Sequence, residues 1–182
     1  MKDERKMKTS SGQDAHAYKS LARRWAATVT VVTAKRRASS IGLDRPGLDG
    51  FTATAFLTIS IDPPIVAVSV GRSSGADLLM REAEAFAINL LSPGQEELSV
   101  AFARPARDRL DVFARFPWHP DADGAPVLEG SAGAFSAKPR QIIEAGDHLI
   151  FLGDVVAIHQ GDSDDSLVYA NRSYGRFAPF KA

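Results

Sequence analysis

The sequence predicts a mainly β fold, a β-barrel with peripheral helices, on three observations. Short runs of β-branched and aromatic residues recur along the chain, each closed by glycine or proline. Helical stretches are few and do not alternate regularly with the strands, which argues against a parallel βαβ sheet. The 182 residues are 45% hydrophobic and 24% charged, the balance of one globular domain at a length that leaves little room for a second.

The first residues, Met1–Gly12, are polar and basic through Lys2, Arg5, Lys6 and Lys8. Residues 1–13 are read as a mobile tail and 14–182 as the domain. No apolar core follows the basic start, so it does not form a secretory signal, and no window reaches the ~18 apolar residues of a membrane helix.

From Asp14 to Trp25 the apolar residues Tyr18, Leu21, Ala22 and Trp25 recur at helical spacing, with Asp14 as N-cap. Thr28–Thr33 is β-branched and reads as a strand. Lys35–Gly50 holds three arginines, three glycines and a proline and is a loop or hairpin connection. Phe51–Ser60 reads as one strand run, closed by Asp62-Pro63-Pro64, and Ile65–Val70 as a third strand. A short helix is expected over Ala76–Ala83, a strand over Phe86–Leu91, and a helix over Pro93–Ala103 with Leu98, Ala101 and Phe102 on one face. A charged stretch, Arg104–Arg115, follows. Pro139 within Ala134–Glu144 predicts an edge strand or a bulge. Ala145-Gly146-Asp147 is a turn, His148–His159 a long strand, and short strands end the chain at Leu167–Tyr169 and Tyr174–Phe177. Phe56, Ile88, Leu90, Phe135 and Phe151 are read as core.

Composition removes several function classes. Lysine plus arginine equals aspartate plus glutamate at 22 each, so no net field draws nucleic acid or anionic lipid. Cysteine is absent, which excludes disulfides, thiolate nucleophiles and cysteine–metal sites and fits a cytoplasmic location. The four histidines show no metal-ligand spacing, so no metal site is expected. Neither a P-loop, nor G-x-G-x-x-G after a strand, nor a G-x-S-x-G elbow occurs.

Six segments in a fixed order say more: Trp25–Thr33 (WAATVTVVT), Asp49–Phe56 (DGFTATAF), Ser60–Pro64 (SIDPP), Phe86–Leu91 (FAINLL), Phe102-Ala103, and Ala145–Val155 (AGDHLIFLGDV). Over about residues 18–177 the chain thereby resembles the short-chain flavin reductase family. The resemblance implies an FMN-binding split β-barrel of Greek-key type and a homodimer with flavin near the dimer seam. It also implies hydride transfer from NADH or NADPH to FMN or FAD, with reduced flavin passing to a partner monooxygenase. Two other readings stay open: a flavin carrier or sensor without turnover, and a tight FMN enzyme that reduces another small acceptor.

The resemblance assigns roles residue by residue. Thr52, Ala53, Thr54 and Ala55 would line the flavin, since small side chains let backbone N–H groups approach the ring; an ordinary strand of small residues is the alternative. Ser69 and Val70 end the third strand beside the flavin. Arg72, Ser73 and Ser74 in the Gly71–Gly75 turn are phosphate candidates ahead of a helix N-terminus; a plain surface turn is the alternative. Phe102 and Arg109 would come near the flavin and its phosphate, whereas Arg104 and Arg107 are read as a solvated face. His148 would act as the catalytic residue, orienting the nicotinamide or supplying a proton; a turn histidine paired with Asp147 is the alternative. Tyr169, Arg172 and Tyr174 resemble the family's closing segment, which approaches the cofactor; tyrosines packed at a dimer seam are the alternative. Two departures from the family pattern stand out: Ala27-Thr28 replaces a common Thr-Gly pair, and the Lys35–Gly50 connection is longer than usual.

Overall fold

The computed structural model describes residues 7, 9–41 and 47–180. Most of the N-terminal tail, with its four basic residues, and positions 42–46 of the Lys35–Gly50 connection lie outside the described residues.

Helix α1 (Ala15–Ala22) begins as predicted, for the Asp14 carboxylate accepts from the N–H groups of His16 and Ala17 at 3.0 Å. It stops three residues short of Trp25. Its apolar face is left largely open: no residue of α1 is buried, and Tyr18, Leu21 and Trp25 are 71, 69 and 79% exposed.

The chain then lays down β1 (Ala27–Thr28), β2 (Thr30–Arg36), β3 (Leu48–Ala53), β4 (Phe56–Ile61) and β5 (Pro64–Gly71), followed by α2 (Gly75–Glu82) and β6 (Ala83–Leu90). Next come α3 (Glu96–Phe102), the short α4 (Val112–Arg115), a hairpin of β7 (Trp118–Pro120) and β8 (Pro126–Leu128), and the long pair β9 (Gly133–Ala145) and β10 (His148–Gln160). The last hairpin joins β11 (Leu167–Ala170) to β12 (Ser173–Arg176). Its central residues Asn171 and Arg172 have φ of 49° and 63°, the pair of left-handed residues that a tight hairpin turn of matching twist requires.

Seven strands form one antiparallel sheet in the order β3-β2-β6-β9-β10-β5-β4. Its two edges are consecutive in the chain, and only Thr54 and Ala55 join them. A chain of that length reaches roughly 10 Å, so the sheet must curl until β3 and β4 stand near each other. No ladder joins them. The barrel is therefore split along this seam, with non-consecutive strands side by side in Greek-key fashion. The expected single strand over Phe51–Ser60 is two strands, because closure of the barrel places a corner at Thr54-Ala55.

The interior is filled by Phe86, Ile88, Val68 and Leu149, all less than 1% exposed, and their buried neighbours, each large apolar side chain worth about 1.5–3 kcal/mol on burial. Phe56 and Phe135 flank this core with ring centroids 5.7 Å apart. Gly153 on β10 is required by the packing, since a Cβ there would stand 2.4 Å from the Phe86 ring. β9 lies between β6 and β10, but at Pro139 only β10 stands beside it, so the proline sits on a locally open edge. The bulge is there as well, with Arg140 as the extra residue where Gln141 pairs with Leu152 and Pro139 with Gly153. The β6 ladder reaches only to Ala137, so the proline costs no hydrogen bond on that side.

Candidate active site

A cleft of about 520 Å³ opens at the seam. Its walls are the end of β3 with the Thr54-Ala55 corner, the end of β5 from Ser69 to Gly71, the first turn of α2, and the chain leaving α3 from Phe102 to Ala106, with Arg109 behind it. Of the residues named from the sequence, Thr52, Ala53, Thr54, Ala55, Ser69, Val70, Ser74, Phe102 and Arg109 line this one cavity. Arg72, Ser73, His148, Tyr169 and Tyr174 lie outside its lining.

Each wall has a local cause. As an edge strand, β3 leaves part of its backbone polar groups unpaired toward the seam. Thr52 is anchored from beneath, its hydroxyl donating to the Ser99 carbonyl at 2.5 Å, while Ser99 Oγ is 2.9 Å from the Tyr174 hydroxyl. Tyr174 thus reaches the cleft wall through Ser99, linking the last hairpin to β3. Phe102 packs under β3 because Gly50 has no side chain; a Cβ at Gly50 would stand 2.9 Å from its ring. Ser74 precedes α2, but its hydroxyl donates back to the Gly71 carbonyl at 2.7 Å and makes no cap bond to the helix. The N–H groups of Gly75 and Ala76, both in the cleft wall, belong to the helix's first turn, where intrahelical partners are missing. Such a terminus favours an anion.

The arginines around the cleft differ in burial and in partners. Arg109 is 6% exposed; its Nε donates to Asp49 Oδ1 at 3.0 Å, its Nη2 to Asp49 Oδ2 at 3.4 Å, and its Nη1 to the Arg104 carbonyl. Most of its donors therefore serve the protein. Arg72 turns to the β9–β10 turn, where Nη2 lies 3.0 Å from Glu144 Oε2 and Nε donates to the Gly146 carbonyl at 3.0 Å. Arg104, read from the sequence as solvated, lines the cleft and makes no ion pair among the described residues. The signal for it was Pro105: the residue before a proline leaves the helical region, so α3 ends and Arg104 is carried across the cleft mouth. Asp49 was missed as well; an aspartate inside a strand run is itself unusual.

His148 opens β10 opposite Gly71 of β5. A Cβ on Gly71 would stand 3.9 Å from His148 Nε2, so the imidazole sits at the rim beside a lining residue. Its Nδ1 is 2.7 Å from Asp147 Oδ1. The Asp147 carboxyl is held below the usual carboxylate range by that hydrogen bond and by the His148 charge. Tyr169 lines a separate recess that meets the cleft at Thr54. Among the described residues no group of three or more histidines and carboxylates could hold a metal, and no helix is long and apolar enough to cross a membrane.

Relatives of known kind share this architecture. The FMN reductase (NADH) SmoA of Agrobacterium fabrum is 31% identical over 167 residues, 92% of this chain and 88% of that protein. The stachydrine N-demethylase reductase subunit Stc3 of Rhizobium meliloti is 39% identical over 83% of this chain. The chain spans only 60% of the length of Stc3, and 45% of another relative from the same organism. Among solved structures, the NADH:FAD oxidoreductase SgcE6 of Streptomyces globisporus matches with a TM-score of 0.83 at 26% identity, over 97% of this chain and 100% of that one. A second structure of SgcE6 holds NAD and FAD fragments and matches with a TM-score of 0.81 at 26% identity, over 95% and 98% of the two chains. A family model for the flavin reductase like domain matches residues 22–178, and with the split barrel and its seam cleft this shows that the chain belongs to the flavin reductase-like family.

Proposed function

We propose that the protein is an NAD(P)H-dependent flavin reductase, an oxidoreductase that supplies reduced FMN or FAD to a partner monooxygenase in the cytoplasm. The observation that carries this reading is the seam cleft. Small side chains and edge-strand backbone at Thr52–Ala55 face an uncapped helix N-terminus and the unpaired Arg104 across one cavity. That donor set fits a flat polar ring joined to a phosphate. The names of SmoA and SgcE6 as NADH-dependent reductases, and of Stc3 as a reductase subunit, support the same reading.

The flavin, when bound, supplies a two-electron acceptor that takes hydride at N5 from C4 of the dihydronicotinamide. The chain's part is placement and charge. Backbone N–H groups of the β3 edge would donate to the ring's polar rim, where negative charge develops on reduction. Gly75, Ala76, Ser74 and Arg104 would hold the phosphate. His148, kept in place by Asp147, would orient the nicotinamide over the open face, where hydride transfer needs reacting atoms about 3–3.5 Å apart.

The test is oxidation of NADH and NADPH followed by nicotinamide absorbance, with and without added FMN or FAD. Turnover that saturates with added flavin is expected. A bound flavin spectrum with no turnover in any combination would overturn the reading and leave a flavin-binding carrier or sensor.

A homodimer belongs to the same reading. Besides the α1 face, Leu57, Ile59 and Ile61 on β4 and Val156 and Ile158 on β10 are exposed, and large apolar side chains gathered in water mark protein–protein contact surfaces. Sedimentation equilibrium is expected to give twice the chain mass, and a monomer at micromolar concentration would refute the assembly.

A further inference from the structure

The turn that presents His148 lies outside the core, and one arginine grips it. Past Ala137, β9 has only β10 beside it, and every residue of β9 from Lys138 to Ala145 is exposed. Gly146 and Asp147 then join β9 to β10. Gly146 takes a φ of 61°, the left-handed conformation that glycine supplies at the first position of a two-residue hairpin turn. The side chains of Asp147 and His148 are 95 and 49% exposed, so packing alone does not fix the imidazole.

Arg72 reaches this turn from the end of β5. Its backbone N–H donates to the Asp147 carbonyl at 3.0 Å, its Nε donates to the Gly146 carbonyl at 3.0 Å, and its Nη2 stands 3.0 Å from Glu144 Oε2. Glu144, Gly146 and Asp147 are thus tied to one residue, by a planar fork that can serve two acceptors at once. The Arg72 and Glu144 side chains are 38 and 75% exposed, and an ion pair so open to water adds little to stability. What the contacts fix is direction. With the turn held, the Asp147 carboxylate meets His148 Nδ1 at 2.7 Å, and Nε2 is kept beside Gly71 at the cleft rim. The start of α2 does not need the guanidinium: the Ser74 N–H and hydroxyl both donate to the Gly71 carbonyl, at 3.0 and 2.7 Å.

We propose that Arg72 is a positioning residue for the nicotinamide nucleotide: by fixing the Gly146-Asp147 turn it holds His148 where the imidazole orients the dihydronicotinamide. The proposal rests on the reductase reading. It gives the Arg72 side chain no contact with the flavin phosphate, and its whole effect on the reaction passes through His148.

The test is steady-state NADH oxidation, with FMN as acceptor, by the wild type, Arg72→Ala, His148→Ala and the double variant. FMN affinity, Tm and the proton NMR signal of the His148 ring, recognised by its absence from His148→Ala, are measured alongside. In Arg72→Ala, kcat/KM for NADH is expected to fall at least about threefold, and no further than in His148→Ala, with FMN affinity unchanged and Tm within about 3 °C of the wild type. The double variant should be no slower than His148→Ala alone, because residues that act as one unit do not add. Arg72→Lys keeps a charge beside Glu144 but lacks the fork that also reaches Gly146, so most of the loss should remain. Unchanged kcat/KM in Arg72→Ala, a fall in its FMN affinity, additive losses in the double variant, or full recovery with lysine each overturns the proposal. The His148 ring signal is expected to move in Arg72→Ala, and an unmoved signal overturns the proposal whether or not the wild type turns over. A wild type that oxidises no NADH with added FMN sinks the reductase reading instead, and the ring signal alone then decides whether Arg72 holds His148.

Discussion

Replacing Asp49 with alanine is expected to destabilise the protein by about 3–5 kcal/mol, the cost of removing one partner from a buried ion pair, and so to lower Tm by roughly 10 °C or more at this chain length. Asp49 lies on β3, 6% exposed, and two guanidiniums lean on it. Arg109 approaches at 3.0 Å, and Arg36, itself 4% exposed, at 3.4 Å. Its Oδ1 also accepts from the Gly50 N–H at 2.8 Å. Arg36 has a second carboxylate, Glu82, at 3.4 Å, so the group holds two positive and two negative charges with almost no water. Without Asp49 the two arginines would share one carboxylate in a desolvated space.

The loss would spread to the site, because Arg109 also donates to the Arg104 carbonyl and so fixes the segment that carries Arg104 across the cleft. Asp49→Ala should therefore weaken FMN binding along with stability. Arg104→Ala separates the two effects: its exposed, unpaired side chain should leave Tm within about 2 °C, while FMN affinity falls about tenfold or more with the lost charge-assisted phosphate contact. Thermal denaturation and flavin fluorescence titration measure both. An Asp49→Ala variant melting within about 2 °C of the wild type would show that the buried arginines do not depend on this carboxylate.

What the sequence disclosed follows from the range of the interactions involved. The Asp14 cap, the Gly146-Asp147 turn and the strand cores from Thr30 to Thr33 and from Phe86 to Leu90 depend on neighbours within a few residues, and they stand where pattern and propensity placed them. The seam was hidden because Phe51–Ser60 alternates without a local break; only curling of the whole sheet requires a corner at Thr54-Ala55. Arg72 shows the same limit. Its place in a Gly-Arg-Ser-Ser-Gly turn was legible, but not that β5 pairs antiparallel with β10 and so brings Gly71 beside His148. Glu144 and Gly146 of the adjoining turn then engage the guanidinium. The apolar stripe of α1 was legible as a stripe, but its burial needs a surface that the described residues do not provide.

Replacing His148 with alanine is expected to cut kcat/KM for NADH by at least about tenfold, at the low end of what a positioned acid or orienting group contributes, with FMN affinity unchanged. The geometry sets the direction. The Asp147 carboxyl is held low by its hydrogen bond to His148 and by that residue's charge, so near neutral pH it is ionised and can only accept. His148 Nδ1 must then be the donor in the 2.7 Å contact, which leaves Nε2 at Gly71 and the rim of the cleft. Asp147→Asn should give an intermediate loss, since an amide oxygen can still accept but no longer carries the charge. A carboxyl with a lowered value keeps its hold above the usual carboxylate range and loses it only as pH falls through that lowered value. The two proteins should therefore differ most near neutral pH and converge in acid. Steady-state rates across pH, with FMN affinity measured separately, decide the matter: unchanged turnover in His148→Ala would remove this residue from the reaction and leave it a turn histidine paired with Asp147.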